Sequence, residues 1–179
     1  GGVNVAGALA INDLTSVTKA YLGSSGQVSA LGQVDVLSLA HNQSSVVADA
    51  TTVQNGSTGV GVAVGINLAE TTNEAVVAQK LDAAGLRIRA GALHGETSVF
   101  QTEATSGAGN SNVGVAGSLG VNVVRTTTVA QMSGNVSLHG NVEIKAENVS
   151  SSLVKAAPAA DGGTGEDVGV GASVAVNVA

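Results

Sequence analysis

One interval governs this sequence, because an asparagine returns every 55 residues, at Asn12, Asn67, Asn122 and Asn177. Reading back from each asparagine gives four segments that align without a gap: VNVAGALAIN (3–12), TGVGVAVGIN (58–67), VGVAGSLGVN (113–122) and VGVGASVAVN (168–177). A long period held over several copies indicates an array in which each unit packs on its neighbours. The sequence therefore predicts a single continuous solenoid over residues 1–179, with repeat units 1–56, 57–111 and 112–166 and a partial unit 167–179.

Each aligned segment alternates between two kinds of residue, which is the period of a β-strand. One set of alternate positions carries mostly Val, Leu and Ile, and the other set carries only Gly, Ala, Ser and Asn. A helix is disfavoured because Gly and β-branched Val both lower helix propensity. The small residues either let a neighbouring surface approach closely or form a flat exterior. We expect the large aliphatic side chains to form the core, in particular Val60, Val62, Val64, Ile66, Val115, Leu119 and Val121.

Shorter strands and polar turns follow in every unit. The matching strand segments are VDV (34–36), LRI (86–88) and VEI (142–144), then SSVV (44–47), TSVF (97–100) and SSLV (151–154). In the second of these segments, Leu86 and Ile88 are expected to face inward and Arg87 and Arg89 to face water. Because Gly weakens an isolated strand, strands so rich in Gly need partners on both edges. The sequence predicts an all-β parallel solenoid with two or three coils per 55-residue unit.

The recurring asparagines admit three roles. Stacked coils allow their amides to form a ladder, a strand end allows them to hydrogen-bond local backbone, and exposure allows ligand binding. Since each occurs only once per unit, we expect the strand-ending role.

The amino-acid composition argues against several classes of site and partner. The only aromatic residues are Tyr21 and Phe100, and the chain contains no Trp and no Cys, so neither a disulfide framework nor a thiolate site is expected. Seven scattered Lys and Arg residues and a net charge of −6 argue against a nucleic-acid partner. No apolar run reaches the length of a membrane helix. The chain begins at Gly1 without a signal-like segment, and we expect it to be a piece of a longer protein.

Residues whose side chains could take part in catalysis or bind a metal are few, and they share no repeat position. Paired carboxylates are the groups that glycosidases use, oxygen-rich loops bind calcium, and histidines bind zinc at characteristic spacings. Neither a calcium-binding nonapeptide nor a zinc spacing is present, and the first unit carries Thr15 and Lys19 where the second carries Glu70 and Glu74. We therefore expect no catalytic residue, and no candidate residue that binds a metal or a cofactor. The candidates are Glu70 with Glu74, Glu143 with Glu147, the loop of Asp161, Glu166 and Asp167, and His41, His94 and His139.

Two long strings carry a family resemblance: GVGVAVGINLAETTNEAVVA (59–78) and AGSLGVNVVRTTTVAQMSGNVSLHGNVEIKAENVSSSLVKA (116–156). A Gly/Ala/Val strand ends in V-N-V, a Thr-rich stretch and an Ala-containing strand follow, and G-N-V-E-I-K-A-E-N precedes a Ser run. This pattern resembles the repeats of giant secreted bacterial adhesins of the filamentous-haemagglutinin and leukotoxin-type filamentous class. The resemblance covers essentially the whole chain and implies a right-handed parallel β-helix. It also implies export to the surface of a Gram-negative bacterium and a role in cell adhesion and virulence, as a shaft or adhesive filament.

The resemblance further implies partners: adjacent repeats of the same parent chain, and host glycans or proteins. A glycan- or matrix-binding module is an alternative, with an exposed stripe at Tyr21, Arg87, Arg89 and Phe100, although few aromatics are present to stack on sugars. A carbohydrate-active enzyme on the same scaffold would need a non-repeating acidic cleft. Ice binding would favour a regular Thr ladder, whereas the small-residue face is Gly, Ala, Ser and Asn.

Overall fold

The computed structural model describes residues 2–52, 56–109, 111–159 and 167–179. These residues form an all-β structure with a single 3-10 turn at Leu93–Gly95 and no α-helix. None of these described ranges includes a helix with the length and hydropathy of a membrane span. The strands are β1 (Val3–Leu22), β2 (Gln27–Ala40), β3 (Gln43–Thr51), β4 (Gly56–Val77), β5 (Lys80–Ala92), β6 (Ser98–Gly107), β7 (Ser111–Met132), β8 (Val136–Leu138), β9 (Val142–Glu147), β10 (Ser150–Pro158) and β11 (Val168–Val178).

Equivalent strands of successive repeats pair in parallel and build three sheets. Sheet A has the order β1-β4-β7-β11, sheet B contains β2 and β5 followed by the short strands β8 and β9, and sheet C has the order β3-β6-β10. In sheet A each residue lies beside its counterpart 55 positions later, so that Asn12 pairs with Asn67 and Asn67 with Asn122. Each repeat therefore adds one layer to every sheet.

This register corrects the predicted winding. Two or three coils per repeat are wrong, because strands stack at an interval of one whole repeat. Long strands account for much of each 55-residue repeat: β1 has 20 residues, and β4 and β7 have 22 each. A bulge between Ala30 and Gln33 shifts the register of β2 against β5, and it leaves Leu31 fully exposed.

Packing reverses the predicted inside and outside of sheet A. The Gly/Ala/Ser/Asn positions point inward, so that Ala63 and Asn67 are 0% exposed while Val62 is 49% exposed. The predicted core is therefore wrong. All seven of its residues lie on the outward side, where Val62 and Val115 are exposed and the others are half-buried, namely Val60, Val64, Ile66, Leu119 and Val121.

The reason for the reversal is a close approach of two backbones. The first half of sheet A packs on sheet C through a layer of alanines, including Ala63 of β4 and Ala104 of β6. A Cβ added at Gly61 would overlap the carbonyl oxygen of Gly107 and lie 2.6 Å from that of Ala50. No Val or Leu side chain fits in that space. Of the two roles left open for the small residues, close approach is the one that the structure shows.

The second half of sheet A packs on sheet B through larger side chains. Val77, Leu81, Leu86 and Ile88 are all at most 1% exposed and belong to one cluster. The predicted inward orientation of Leu86 and Ile88 is confirmed. Phe100 of β6 is also 0% exposed and packs with Ala69 and Val124.

Candidate functional site

A ladder of amide groups runs through the interior at the asparagine of each repeat. Asn12 Nδ2 donates to Asn67 Oδ1 at 3.0 Å, and Asn67 Nδ2 donates to Asn122 Oδ1 at 2.9 Å. The register places identical side chains in adjacent strands, about 4.8 Å apart, which is the spacing at which stacked amides bond. The predicted strand-ending role is wrong, because β1 continues to Leu22 and β4 to Val77.

Serines of sheet C complete the ladder. Ser44 Oγ accepts from Asn12 Nδ2 at 2.7 Å and donates to Asn67 Oδ1 at 2.5 Å. Ser152 Oγ accepts from Asn122 Nδ2 at 2.8 Å and donates to Asn177 Oδ1 at 2.6 Å. In the layer between these serines the equivalent residue is Phe100. The amides are thus satisfied by the protein itself, and the ladder is a structural element.

The outward side of sheet A carries a surface that the sequence did not predict to be exposed. We call it the aliphatic face and define it as the outward positions of 3–13, 58–68, 113–123 and 168–178. All but five of these positions are Val, Leu or Ile, and thirteen of those side chains are between 38% and 73% exposed. The five exceptions are Gly7, Asp13, Thr58, Gly117 and Ala172.

The aliphatic face has a regular relief because its residues stand in rows across the four strands. Counted from the row of Val3, the second row is all valine, the third is mainly small residues, and the fourth and fifth are larger residues. The surface therefore has a ridge, a trough and a second ridge. The first ridge is Val5, Val60, Val115 and Val170, the trough is Gly7, Val62, Gly117 and Ala172, and the second ridge is Leu9, Val64, Leu119 and Val174.

Beyond Asp13 the same side of sheet A becomes polar. Lys19 Nζ lies 3.2 Å from Glu74 Oε2 and 5.9 Å from the centre of the Tyr21 ring. Hydrogen bonds from the Tyr21 hydroxyl and the Lys19 ammonium lower the pKa of Glu74, and the Glu74 carboxylate raises the pKa of both partners. At the border of the two halves is an open hollow of about 230 Å³ lined by Asp13, Leu68, Ala69, Glu70, Val123 and Arg125.

Ion pairs connect successive layers on the other sheets as well. On sheet B, Arg87 pairs with Asp35, and Arg89 Nε lies 3.8 Å from Glu143 Oε1. A hydrogen bond from Gln33, together with Arg87, lowers the pKa of Asp35. On sheet C, Lys155 Nζ lies 2.6 Å from Glu103 Oε1. The arginines thus hold layers together, and each is already engaged by a carboxylate.

The predicted ligand stripe is wrong, because the fold separates its members. Tyr21 is on the outward side of sheet A, whereas Arg87 and Arg89 are on the outward side of sheet B. These two sheets pack through their inward sides, so the tyrosine and the arginines point away from each other. Phe100 is 0% exposed and offers no surface to a ligand.

The carboxylate pairs do not form a cleft. Glu70 and Glu74 lie four residues apart on the same side of β4, which is about 13 Å along a strand, beyond the roughly 5 to 10 Å that glycosidases use. Glu143 and Glu147 of β9 have the same spacing and pair with Arg89 and with Lys145, respectively. Asp161 and Glu166 lie outside the described residues.

Two of the histidines each lie beside a different carboxylate. His41 Nδ1 is 2.7 Å from Glu96 Oε2, and His139 Nε2 is 3.3 Å from Asp82 Oδ1. Within the described ranges, no group of three His, Cys, Asp or Glu residues has the geometry of a metal site.

No family model matches the chain, and no curated protein or solved structure is significantly similar to it.

Proposed function

We propose that this chain is a non-catalytic segment of the structural shaft or adhesive filament of a secreted bacterial surface adhesin. The observation that carries the proposal is the register of one repeat per layer in sheet A. Every layer offers the next one the same backbone edge, so further layers add through the same contacts. The resemblance of the repeats to filamentous adhesins supports the same function, together with a closed right-handed β-helix and export to the cell surface.

Three kinds of contact between layers suit a load-bearing element. Parallel backbone hydrogen bonds run along strands of 20 to 22 residues, and the buried amide ladder and the surface ion pairs connect the same layers. Each repeat adds only about 4.8 Å along the stack, while its long strand extends about 66 to 73 Å across it. A shaft of this kind is broad and resists bending, because each layer is held by many hydrogen bonds in parallel.

The carboxylates support a non-catalytic assignment. A glycoside hydrolase needs one acid with a raised pKa and a second carboxylate across a sugar-sized gap. Here hydrogen bonds from Tyr21 and from Lys19 lower the pKa of Glu74, and Lys145 lowers the pKa of Glu147. Both carboxylates stand on open strand surfaces and act as ion-pair partners.

Added repeats test the shaft assignment. Four further copies of residues 57–111 inserted after residue 111 should thicken the particle by about 19 Å along the stacking direction, its shorter dimension, since each layer rises about 4.8 Å; small-angle scattering fitted with a flat-sided body measures this thickness. Thermal unfolding should remain a single transition that moves to higher temperature, because each added layer brings another interface. An increase of tens of ångströms per repeat, as for separate domains on a string, would contradict a stacked shaft.

Binding measurements test whether the segment is adhesive as well as structural. The purified chain is applied to epithelial cells and to matrix glycoproteins, beside a folded, unrelated β-helix as a control. Saturable binding above the control, reduced by Arg87→Glu with Arg89→Glu, assigns adhesion to the outward side of sheet B. Absence of binding by a chain with a folded β circular dichroism spectrum assigns the segment to the shaft alone.

A further inference from the structure

We propose that the aliphatic face is the docking surface for a second copy of this chain, related to the first by a two-fold axis parallel to the direction in which the layers stack. The proposed dimer involves only this exposed surface. It does not depend on the adhesin assignment.

The exposed area is sufficient for a dimer. A Val, Leu or Ile side chain offers roughly 100 Å² of apolar surface. Thirteen such residues at 38% to 73% exposure therefore leave on the order of 700 Å² uncovered. Isolated monomers rarely expose more than roughly 300 to 600 Å² in one patch. A stable dimer buries about 800 Å² on each partner, and the half-buried residues of the aliphatic face supply the remainder.

The chemistry of the aliphatic face favours a protein surface over a lipid surface. Its single charged residue is Asp13, at the border with the polar half. Membrane-binding surfaces combine apolar residues with a basic face and aromatic anchors. This chain has a net charge of −6 and no Trp, and Phe100 is buried. A complementary apolar sheet is the partner that this surface fits.

The relief of the aliphatic face is complementary to itself. A two-fold axis along the stack reverses the strand direction and keeps each strand over its own counterpart. With the axis between the trough and the second ridge, the ridge of each copy enters the trough of the other in three of the four layers. Leu9 then lies over Gly7, Leu119 over Gly117 and Val174 over Ala172, whereas in the β4 layer Val64 lies over Val62. Packing of large against small residues is what gives two facing sheets a filled interior.

A two-fold axis along the strands would be a poorer fit. It would place ridge over ridge and trough over trough, because each row would then face itself. The leucines would collide and the glycines would leave gaps, and both overpacking and cavities are unfavourable.

A two-fold axis along the stacking direction also keeps the charged residues of the two polar halves apart. Because the partner strand runs in the opposite direction, the polar halves of the two copies extend beyond opposite borders of the interface. Lys19 and Glu74 of one copy thus stay in water and do not meet the same residues of the other. Burial of the Lys19 and Glu74 charges is therefore avoided.

The first experiment measures the mass in solution by sedimentation equilibrium over a wide concentration range. The wild-type chain should reach twice the 17.2 kDa of one chain and no more. Val115→Lys, whose side chain lies in the first ridge and is 40% exposed in one copy, should weaken the dimer at least roughly 100-fold by burying a charge without a partner. The matched control is Thr127→Lys, which adds the same charge on the polar half of the same strand and should leave the dimer unchanged.

Circular dichroism separates loss of docking from loss of folding. Val115→Lys should keep the wild-type β spectrum, because this side chain points out of the monomer. Ala116→Lys, at a neighbouring inward position that is 2% exposed, should unfold the chain.

A covalent trap tests the orientation, since the chain has no cysteine of its own. Gly117→Cys and Leu119→Cys are prepared as separate chains, mixed and oxidised. The proposed axis brings these two positions together between different copies, so the mixture should form a disulfide-linked dimer and neither variant alone should. Gly117 has room for the new side chain, because only one atom lies within 4 Å of a Cβ added there, and Leu119 is replaced by a smaller side chain at a half-buried outward position.

Three outcomes would overturn the proposal. One is a wild-type chain that stays monomeric at high concentration. Another is a growing series of oligomers that Val115→Lys does not affect, which would show association through the open strand edges. The third is a monomer that binds neutral phosphatidylcholine vesicles through the aliphatic face, which would make the partner a lipid surface.

Discussion

Asn67 and Asn122 lie one repeat apart in the sequence, and a hydrogen bond of 2.9 Å joins their amides where neither side chain is exposed. A slip of β4 against β7 by one residue would exchange inward and outward side chains. A slip by two residues would keep the alternation but would set Asn67 opposite Gly120 or Val124, with its amide unsatisfied. The ladder therefore fixes the register of strands whose Gly/Val pattern would otherwise allow several.

We expect Asn67→Ala to lower the free energy of unfolding by about 2 to 4 kcal/mol, because it leaves buried groups of Ser44 and Asn122 without a partner. Urea denaturation of the isolated domain measures the loss. Asn177→Ala is the control, since Asn177 occupies the equivalent position in an exposed layer and should cost less than half as much. Equal losses would mean that the ladder contributes nothing specific to the interior.

Alanine substitutions at two glycines distinguish the effect of close packing between sheets from the effect of strand propensity. Gly61→Ala should destabilise by more than about 2 kcal/mol, because its Cβ would overlap the backbone of sheet C. Gly7→Ala, on the outward side of β1 with no atom within 4 Å of the added Cβ, should be neutral or stabilising by up to about 1 kcal/mol. Thermal unfolding of both variants is the measurement. If Gly7→Ala were the more damaging of the two, the inward assignment of the small residues would be wrong.

The two aromatic residues should differ sharply in their effect on stability. Phe100→Ala removes a side chain that is 0% exposed and should cost about 3 to 5 kcal/mol. Tyr21→Ala removes one that is 49% exposed and should cost less than about 1 kcal/mol. Chemical denaturation of both variants compares them, and similar values would place Phe100 on the surface.

Glu74 should make stability depend on pH in both directions. Its pKa is lowered by Tyr21 and Lys19, so its contribution is present above the unfolded value of about 4.3 and is lost as the pH falls through the lower folded value. The pKa of Lys19 and that of Tyr21 are raised, so their contributions are present below about 10 and are lost as the pH rises further. Melting temperatures of wild type and Glu74→Gln should therefore differ most near neutral pH and converge as the pH falls through the lowered folded pKa of Glu74. A difference that stayed constant down to acid pH would rule out the carboxylate as its cause.

The sequence by itself determined the period, the strands and their alternation. Four gapless copies ending in asparagine fixed which residues are equivalent, and the inward orientation of Leu86 and Ile88 followed from the arginines beside them. A charged side chain has a strong preference for water, so alternation of apolar with charged residues identifies the buried side without any knowledge of the partner.

Only the tertiary structure decided which side of sheet A is inside. Val62 and Ala63 are both apolar enough to be buried, and the choice depends on how close sheet C comes, which is a property of another strand. The number of layers per repeat was undetermined for a similar reason. A period of 55 residues gives the size of the repeat but not the length of its strands, and the strand length decides how many layers the repeat forms. Phe100 was assigned to a surface stripe because only the register of sheet C shows that it occupies the interior column of Ser44 and Ser152.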